Sequence, residues 1–360
     1  MIYAKTVVFE SVNKPMLVNE IPVPTLADEQ ILIRNEYVTL CRSDINTYCG
    51  KRTEKTPTIL GHEIVGRISD FGENAPTVDL RGESLKIGDR ITWAIYAANP
   101  ESEMSMKGIP QKSNDLFKYG HEQITALSNL HGGLSQYTIL RANTPILKIS
   151  ENVPVEVAAI VNCSVATVAG ALRLAGNLNG KHVMISGVGM LGVIACAMST
   201  VMGAKSVFAV DIDSKRIEVA KKFGATNGLL INDDLQLYIH EIYNQCAPFD
   251  VVIELSGLPD SMEDTLDYLA IGGTAVWVGA TYPARNTQLN AERIIRNIHT
   301  IKGLHNYNSD DFLHAVTFIE KHYDKFPFLQ LIHTNFSLDE ANEAFQYAIK
   351  HNPFRVGITL

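Results

Sequence analysis

Apolar and polar positions alternate in short runs through the first part of the chain. Lys5 to Glu10, Ile31 to Val38, Ile64 to Phe71 and Asp89 to Ile95 predict strands, because β-branched residues recur at alternating positions and Gly, Pro, Asn and Asp punctuate them. Residues 98 to 133 are polar, rich in Met and Ser and without periodicity, which predicts a long loop or lobe. The pattern then changes. Val183 to Ser186, Ser206 to Val210, Val251 to Glu254 and Thr274 to Gly279 predict strands. Met190 to Met202, Ser214 to Phe223 and Asp260 to Leu269 predict helices between them. Strands and helices alternating at this spacing imply βαβ units around a parallel sheet, an α/β architecture. Helices are predicted over Ser309 to His322 and Leu338 to His351, then a last strand from Arg355 to Leu360 that returns to the first domain.

At 360 residues the chain has room for about two domains of roughly 150 residues each. Hydrophobic residues at 46% and charged ones at 19% suit a large core. A net charge of −8 argues against a nucleic-acid or acidic-membrane partner, though a local basic pocket stays compatible with it. The N-terminus lacks the apolar segment of a secretory signal, and no run is expected to reach the roughly 20 apolar residues of a membrane span. Val188 to Val201, the richest run, carries two glycines. The odd set Cys41, Cys49, Cys163, Cys196 and Cys246 reads as thiols, so a reducing cytoplasm is expected.

Gly187-Val188-Gly189-Met190-Leu191-Gly192 fits G-x-G-x-x-G between a predicted strand and helix. Its glycines allow a tight turn, close approach of a pyrophosphate and tight helix packing, and the helix N-terminus favours the anion. Asp211 ends the next predicted strand, 19 residues after Gly192, where a carboxylate would hold ribose hydroxyls. The plainer alternative is a structural turn with a helix-capping Asp. A carboxylate at Asp211 would repel a 2′-phosphate and so selects NAD over NADP, with Arg216 near enough to soften that choice.

Cys41-Arg42-Ser43-Asp44, Gly61-His62-Glu63-Ile64-Val65-Gly66 and Cys163 carry thiol, imidazole, hydroxyl and carboxylate groups. A catalytic zinc needs three protein donors and one open position, a requirement that Cys41, His62 and Cys163 would meet. Each taken singly is more readily read as a buried core residue than as a ligand.

Together, in this order and spacing, these motifs resemble the zinc-containing medium-chain dehydrogenase/reductase, or alcohol dehydrogenase, superfamily over nearly the whole chain. The resemblance implies a GroES-like β-rich catalytic domain (residues 1–153, completed by 304–360) and a Rossmann domain (154–303). It implies zinc on Cys41, His62 and Cys163, with Glu63 either entering the metal's shell or supporting it. Ser43 would pass the substrate proton, Asp44 would orient His62, and Thr167 would lie on the nicotinamide side. Arg42, Gly187, Gly189, Met190, Leu191, Gly192, Asp211, Arg216 and Val278 would contact the dinucleotide. The substrate would be a small alcohol or its carbonyl, and relatives are commonly homodimers or homotetramers.

Two departures stand out. Asn46 occupies a position where many relatives carry a relay His. Asn99, Ser102, Ser105 and Ser113 occupy the spacing of four structural-zinc cysteines. Neutral side chains do not make such a site, so one zinc per chain is expected, with the lobe held by packing or a neighbouring subunit.

Residues 108–112, 118–122, 272–276 and 301–307 resemble a narrower group, alcohol dehydrogenases associated with phosphonate catabolism, on a background shared with sorbitol- and threonine-type dehydrogenases. A phosphonate would call on cations such as His121, Arg285, Arg293 or His305. Competing classes are a zinc-free quinone or enoyl reductase and a non-catalytic nucleotide binder on the same fold.

Overall fold

The computed structural model describes residues 2–126, 128–231 and 249–360; Cys246 lies outside them. The chain divides into two compact units, Met1–Ala166 with Asn308–Leu360, and Thr167–Tyr307.

The first unit is built on a seven-stranded sheet. It runs Ile332–Ser337, Arg355–Thr359, Ile31–Thr39, Glu63–Phe71, Arg90–Trp93 and Ile146–Lys148, with Tyr137–Leu140 also paired to Ile31–Thr39. Val38, Ile64, Ile91, Trp93, Leu134, Phe345 and Ile358 are buried in one core, which uses the apolar half of the alternation. The last strand pairs antiparallel with Thr39, Val38 and Tyr37 through Gly357, Ile358 and Thr359, so the C-terminus completes the sheet of the N-terminal segment. Gly357 has to be glycine, because a Cβ there would sit 1.6 Å from Tyr37 Oη.

The second unit is an all-parallel six-stranded sheet, ordered Asn227–Leu230, Ser206–Asp211, His182–Ser186, Phe249–Glu254, Leu269–Trp277 and Thr300–Gly303. This is the doubly wound Rossmann order, in which connections run outward in both directions from the strand His182–Ser186. The strands Val183–Ile185 and Val251–Ile253 are buried on both faces, which is why they read as continuous apolar runs rather than alternations.

Several expectations shift. The strand expected at Thr274–Gly279 runs Leu269–Trp277, and the preceding helix ends at Asp267. The lobe expected as a loop contains a short helix, Glu103–Met106, a 3-10 turn, Pro110–Lys112, and a two-residue strand, Phe117–Lys118, paired with Tyr96–Ala97. One expectation is corrected outright. Val155–Ala175 is a 21-residue helical segment whose most apolar 18-residue window has a mean hydropathy of 1.8, long and apolar enough to span a membrane. Within its most apolar window 83% is buried in the protein, so that apolar surface is core-facing.

Candidate active site

Three segments of the first unit bring the sulfurs of Cys41 and Cys163 and a ring nitrogen of His62 within 4.8 Å of one another. Cys41 immediately precedes the helix Arg42–Tyr48, His62 immediately precedes the strand Glu63–Phe71, and Cys163 lies in a π-helical turn, Val161–Val165. A neighbour of each ligand ties it to another.

Asp44, fully buried, does this for the first two. Its Oδ2 accepts the Cys41 N–H at 2.9 Å, and its Oδ1 accepts the Gly61 N–H at 3.1 Å. Oδ1 also lies 3.2 Å from His62 Nδ1. The Nδ1 of His62 is thereby turned toward the carboxylate, leaving Nε2 as the outward donor. Asn162 does the same for the third segment. Its Nδ2 donates to the carbonyls of His62 at 3.0 Å and Trp93 at 2.9 Å, fixing the turn that carries Cys163. Gly120 closes the third side, where a Cβ would meet Gly61 O at 2.6 Å.

Both carboxylate oxygens of Glu63 are taken up by side-chain donors. Thr39 Oγ1 and Arg355 Nε both donate to Oε2 at 2.6 Å; Ser164 Oγ and Arg355 Nη2 donate to Oε1 at 2.6 and 2.7 Å. Arg355 Nη2 also stands 3.5 Å from Cys41 Sγ. Motif reading missed Arg355. Its one local signal is a charged residue inside an otherwise apolar terminal strand.

The electrostatics suit a cation. The hydrogen bond with Cys163, opposed by burial and aided by Arg355 and His62, holds the Cys41 thiol well below its usual range. The hydrogen bond with Cys41 and burial push Cys163 well above it. Burial opposes protonation of His62, but Asp44 and then Cys41 carry it well above its ordinary value. Two thiols and one oriented imidazole form a zinc donor set with one position left open. Tetrahedral Zn–S and Zn–N lengths put such donors about 3.5–3.8 Å apart, a modest contraction of the cluster seen here.

Ser43 Oγ lies 3.4 Å from His62 Nε2, on the donor side of the ring. Arg42 is exposed and Asn46 half-buried on the same short helix. The His121 ring packs on His62 with centroids 4.9 Å apart, and its Nδ1 lies 3.2 Å from Glu54 Oε1, which also pairs with Arg52 at 2.7 Å. Arg285 is committed to Asp260 and Glu263, and Arg293 to Asp267.

At the four lobe positions the hydroxyls bond to one another. Ser113 and Ser102 Oγ are 2.7 Å apart, Ser102 donates to Ser105 at 2.9 Å, and Ser105 donates to the Asn99 carbonyl at 2.7 Å. A hydrogen-bond chain within the lobe was not anticipated from residue types.

In the second unit Gly187 has φ +87, and a Cβ there would meet Ser256 N at 2.7 Å. A Cβ on Gly192 would strike Gly187 O at 2.2 Å, so the first and last fingerprint glycines are sterically required. Met190 and Leu191 open the helix Met190–Val201. Asp211 Oδ2 accepts the Val188 N–H at 2.8 Å and Oδ1 the Asp213 N–H at 3.0 Å, tying the second strand's end to the fingerprint turn. Arg216 Nη1 lies over Gly189, 3.2 Å from where a Cβ would be. Val278 follows the strand Leu269–Trp277 and donates to the Glu254 carbonyl; Thr167 begins the unit and is buried.

Two family models match the chain. Residues 27–151 match the alcohol dehydrogenase GroES-like domain and residues 190–321 the zinc-binding dehydrogenase family. The chain belongs to the zinc-containing alcohol dehydrogenase superfamily. It is 24% identical to an L-threonine 3-dehydrogenase of Aeromonas salmonicida over 332 residues, covering 91% of each chain. An alcohol dehydrogenase of Thermotoga maritima superposes with a TM-score of 0.93 at 25% identity over the full length of both. A zinc-binding dehydrogenase of Sinorhizobium meliloti, solved with NADP, superposes with a TM-score of 0.86 at 19% identity, again over the full length of both. The family assignment makes this superfamily member a dehydrogenase acting on small molecules.

Proposed function

We propose that the protein is a zinc- and NAD-dependent dehydrogenase that moves a hydride between a small secondary or primary alcohol and the dinucleotide, with one metal per chain. The observation that carries this reading is the convergence of Cys41, His62 and Cys163 with Asp44 on the far nitrogen of His62. When bound, zinc supplies Lewis acidity that makes an alcohol proton labile near neutral pH.

The chain's own residues do the rest. Asp44 holds His62 in the tautomer that leaves Nε2 free to ligate. Ser43 Oγ stands beside that nitrogen and is the group to receive the alcohol proton. Of the two roles the resemblance allows Glu63, its four contacts favour support: it balances Arg355, which in turn stabilises the Cys41 thiolate. Asn46 does not titrate near neutral pH, so the proton leaves through water or ribose hydroxyls. NAD is favoured because Asp211, with lone pairs left after its two backbone bonds, faces the ribose end with a negative charge.

For the substrate, the resemblance of residues 108–112 and 118–122 favours a hydroxyalkylphosphonate, although Arg52 is paired with Glu54 and burial lowers the His121 imidazole below its usual range, so neither supplies an uncompensated positive charge beside His62. Arg285 and Arg293 do not contribute, being neutralised by acids. The amino-alcohol or polyol reading is favoured by the threonine dehydrogenases among its relatives. Assaying hydroxyalkylphosphonates, polyols and L-threonine side by side on zinc-loaded protein, with NAD and NADP, separates the two. No preference for the phosphonate discards the first.

A further inference from the structure

Glu254 is a fully buried carboxylate with no part in the site described above. It ends the strand Phe249–Glu254, in register with Ser186 of the strand that enters the fingerprint. That pair of strands is where the sheet order reverses, the point at which open α/β sheets bind ligands outside the carboxyl ends of their strands.

The carboxylate is spent on the loop that follows it. Oε1 accepts the N–H groups of Ser256 at 2.8 Å and Gly257 at 3.0 Å, and also the Ser256 hydroxyl; Oε2 takes the Gly257 N–H at 3.2 Å. Ser256 Oγ accepts in turn from Leu258 N–H at 3.2 Å. These donors are neutral, so burial raises the Glu254 carboxyl above its usual range. A buried acid held by neutral groups costs stability that an apolar residue would not.

The loop it holds is wedged against the fingerprint. Leu255 N donates to the Ser186 carbonyl at 2.8 Å, and Ser186 and Ser261 hydroxyls lie 2.8 Å apart. A Cβ on Gly187 would meet Ser256 N at 2.7 Å, and one on Gly257 would meet Gly279 O at 2.4 Å. The turns at 187, 256–257 and 279 are thus packed backbone against backbone, with no room for a Cβ at any of the three glycines.

We infer that Glu254 is a positioning residue for the dinucleotide: by shaping the Leu255–Leu258 loop it sets the wall beside the fingerprint turn. This rests on the reading of the second unit as a nicotinamide dinucleotide site. Direct titration of NADH and NADPH by fluorescence tests both, without needing zinc or a known alcohol.

Wild-type protein is expected to bind reduced dinucleotide saturably. Glu254→Ala should weaken that binding about tenfold, the effect of losing a charge-assisted bond set. In steady state it should raise the dinucleotide KM far more than it changes the alcohol KM or kcat. Glu254→Gln keeps an acceptor for Ser256 and Gly257 and should recover most of the affinity. Should the alanine variant not fold, Ser256→Ala replaces it, with an expected loss of about threefold.

A folded Glu254→Ala or Ser256→Ala protein that binds dinucleotide as wild type does overturns the positioning role alone. So does a glutamine variant as impaired as alanine. Wild-type protein that binds neither NADH nor NADPH overturns the dinucleotide reading and the inference together.

Discussion

Arg355 holds Glu63 through two parallel hydrogen bonds, Nε to Oε2 at 2.6 Å and Nη2 to Oε1 at 2.7 Å, with both side chains sealed from solvent. The two residues are 292 positions apart, so the pair joins the C-terminal strand to the strand that follows His62. Breaking a buried pair by removing one partner leaves an uncompensated charge, at a cost of about 3–5 kcal/mol. Arg355→Leu is therefore expected to lower unfolding stability by that amount in denaturant titration. Adding Glu63→Gln to the same chain should recover part of it.

Asp211, proposed to meet the ribose, also braces the fingerprint turn, since its two oxygens take the backbone N–H groups of Val188 and Asp213. Asp211→Ala should weaken NAD binding and improve the relative use of NADP in kcat/KM. Some loss for both cofactors is expected as the Val188 turn loosens. An unchanged NAD/NADP ratio would remove the reason for naming NAD.

The serine chain ties the lobe together with three modest interactions. Each ordinary hydrogen bond contributes about 1 kcal/mol. Ser102→Ala removes the central member, which both donates to Ser105 and contacts Ser113. Amide exchange across residues 99–113 should speed up roughly five- to tenfold, with zinc content unchanged.

His131 is buried beside Phe117, and burial pushes its imidazole down to about 4. A His that must be neutral when folded but ordinary when unfolded gives full stability above about pH 6.5, the unfolded value. That contribution declines as pH falls toward about 4, by roughly 3 kcal/mol in total. Melting curves from pH 7 to 4 should show the decline, and His131→Leu should flatten it.

What could be read from sequence was what local chemistry encodes. Cys41, His62 and Gly187–Gly192 sit at element boundaries where turn glycines and donor side chains leave a recognisable spacing. Asp44 was legible for the same reason, lying three residues past Cys41. Arg355 was not, because its partner is set by sheet closure between chain ends. The edge strand Thr300–Gly303 escaped notice because it is short and largely exposed, so no alternation marks it. The lobe's hydrogen bonds were invisible because serine's usual place is solvent, and only folding brings Ser102, Ser105 and Ser113 together. Glu254 reads as the polar end of an apolar strand until its loop is seen folded back upon it.

The most direct test is elemental zinc analysis of purified wild-type and Cys163→Ser protein, each assayed in the same preparation for alcohol-dependent NADH formation. The account predicts one zinc per wild-type chain with turnover, and loss of both in the variant. A variant that keeps turning over alcohol without zinc would contradict it.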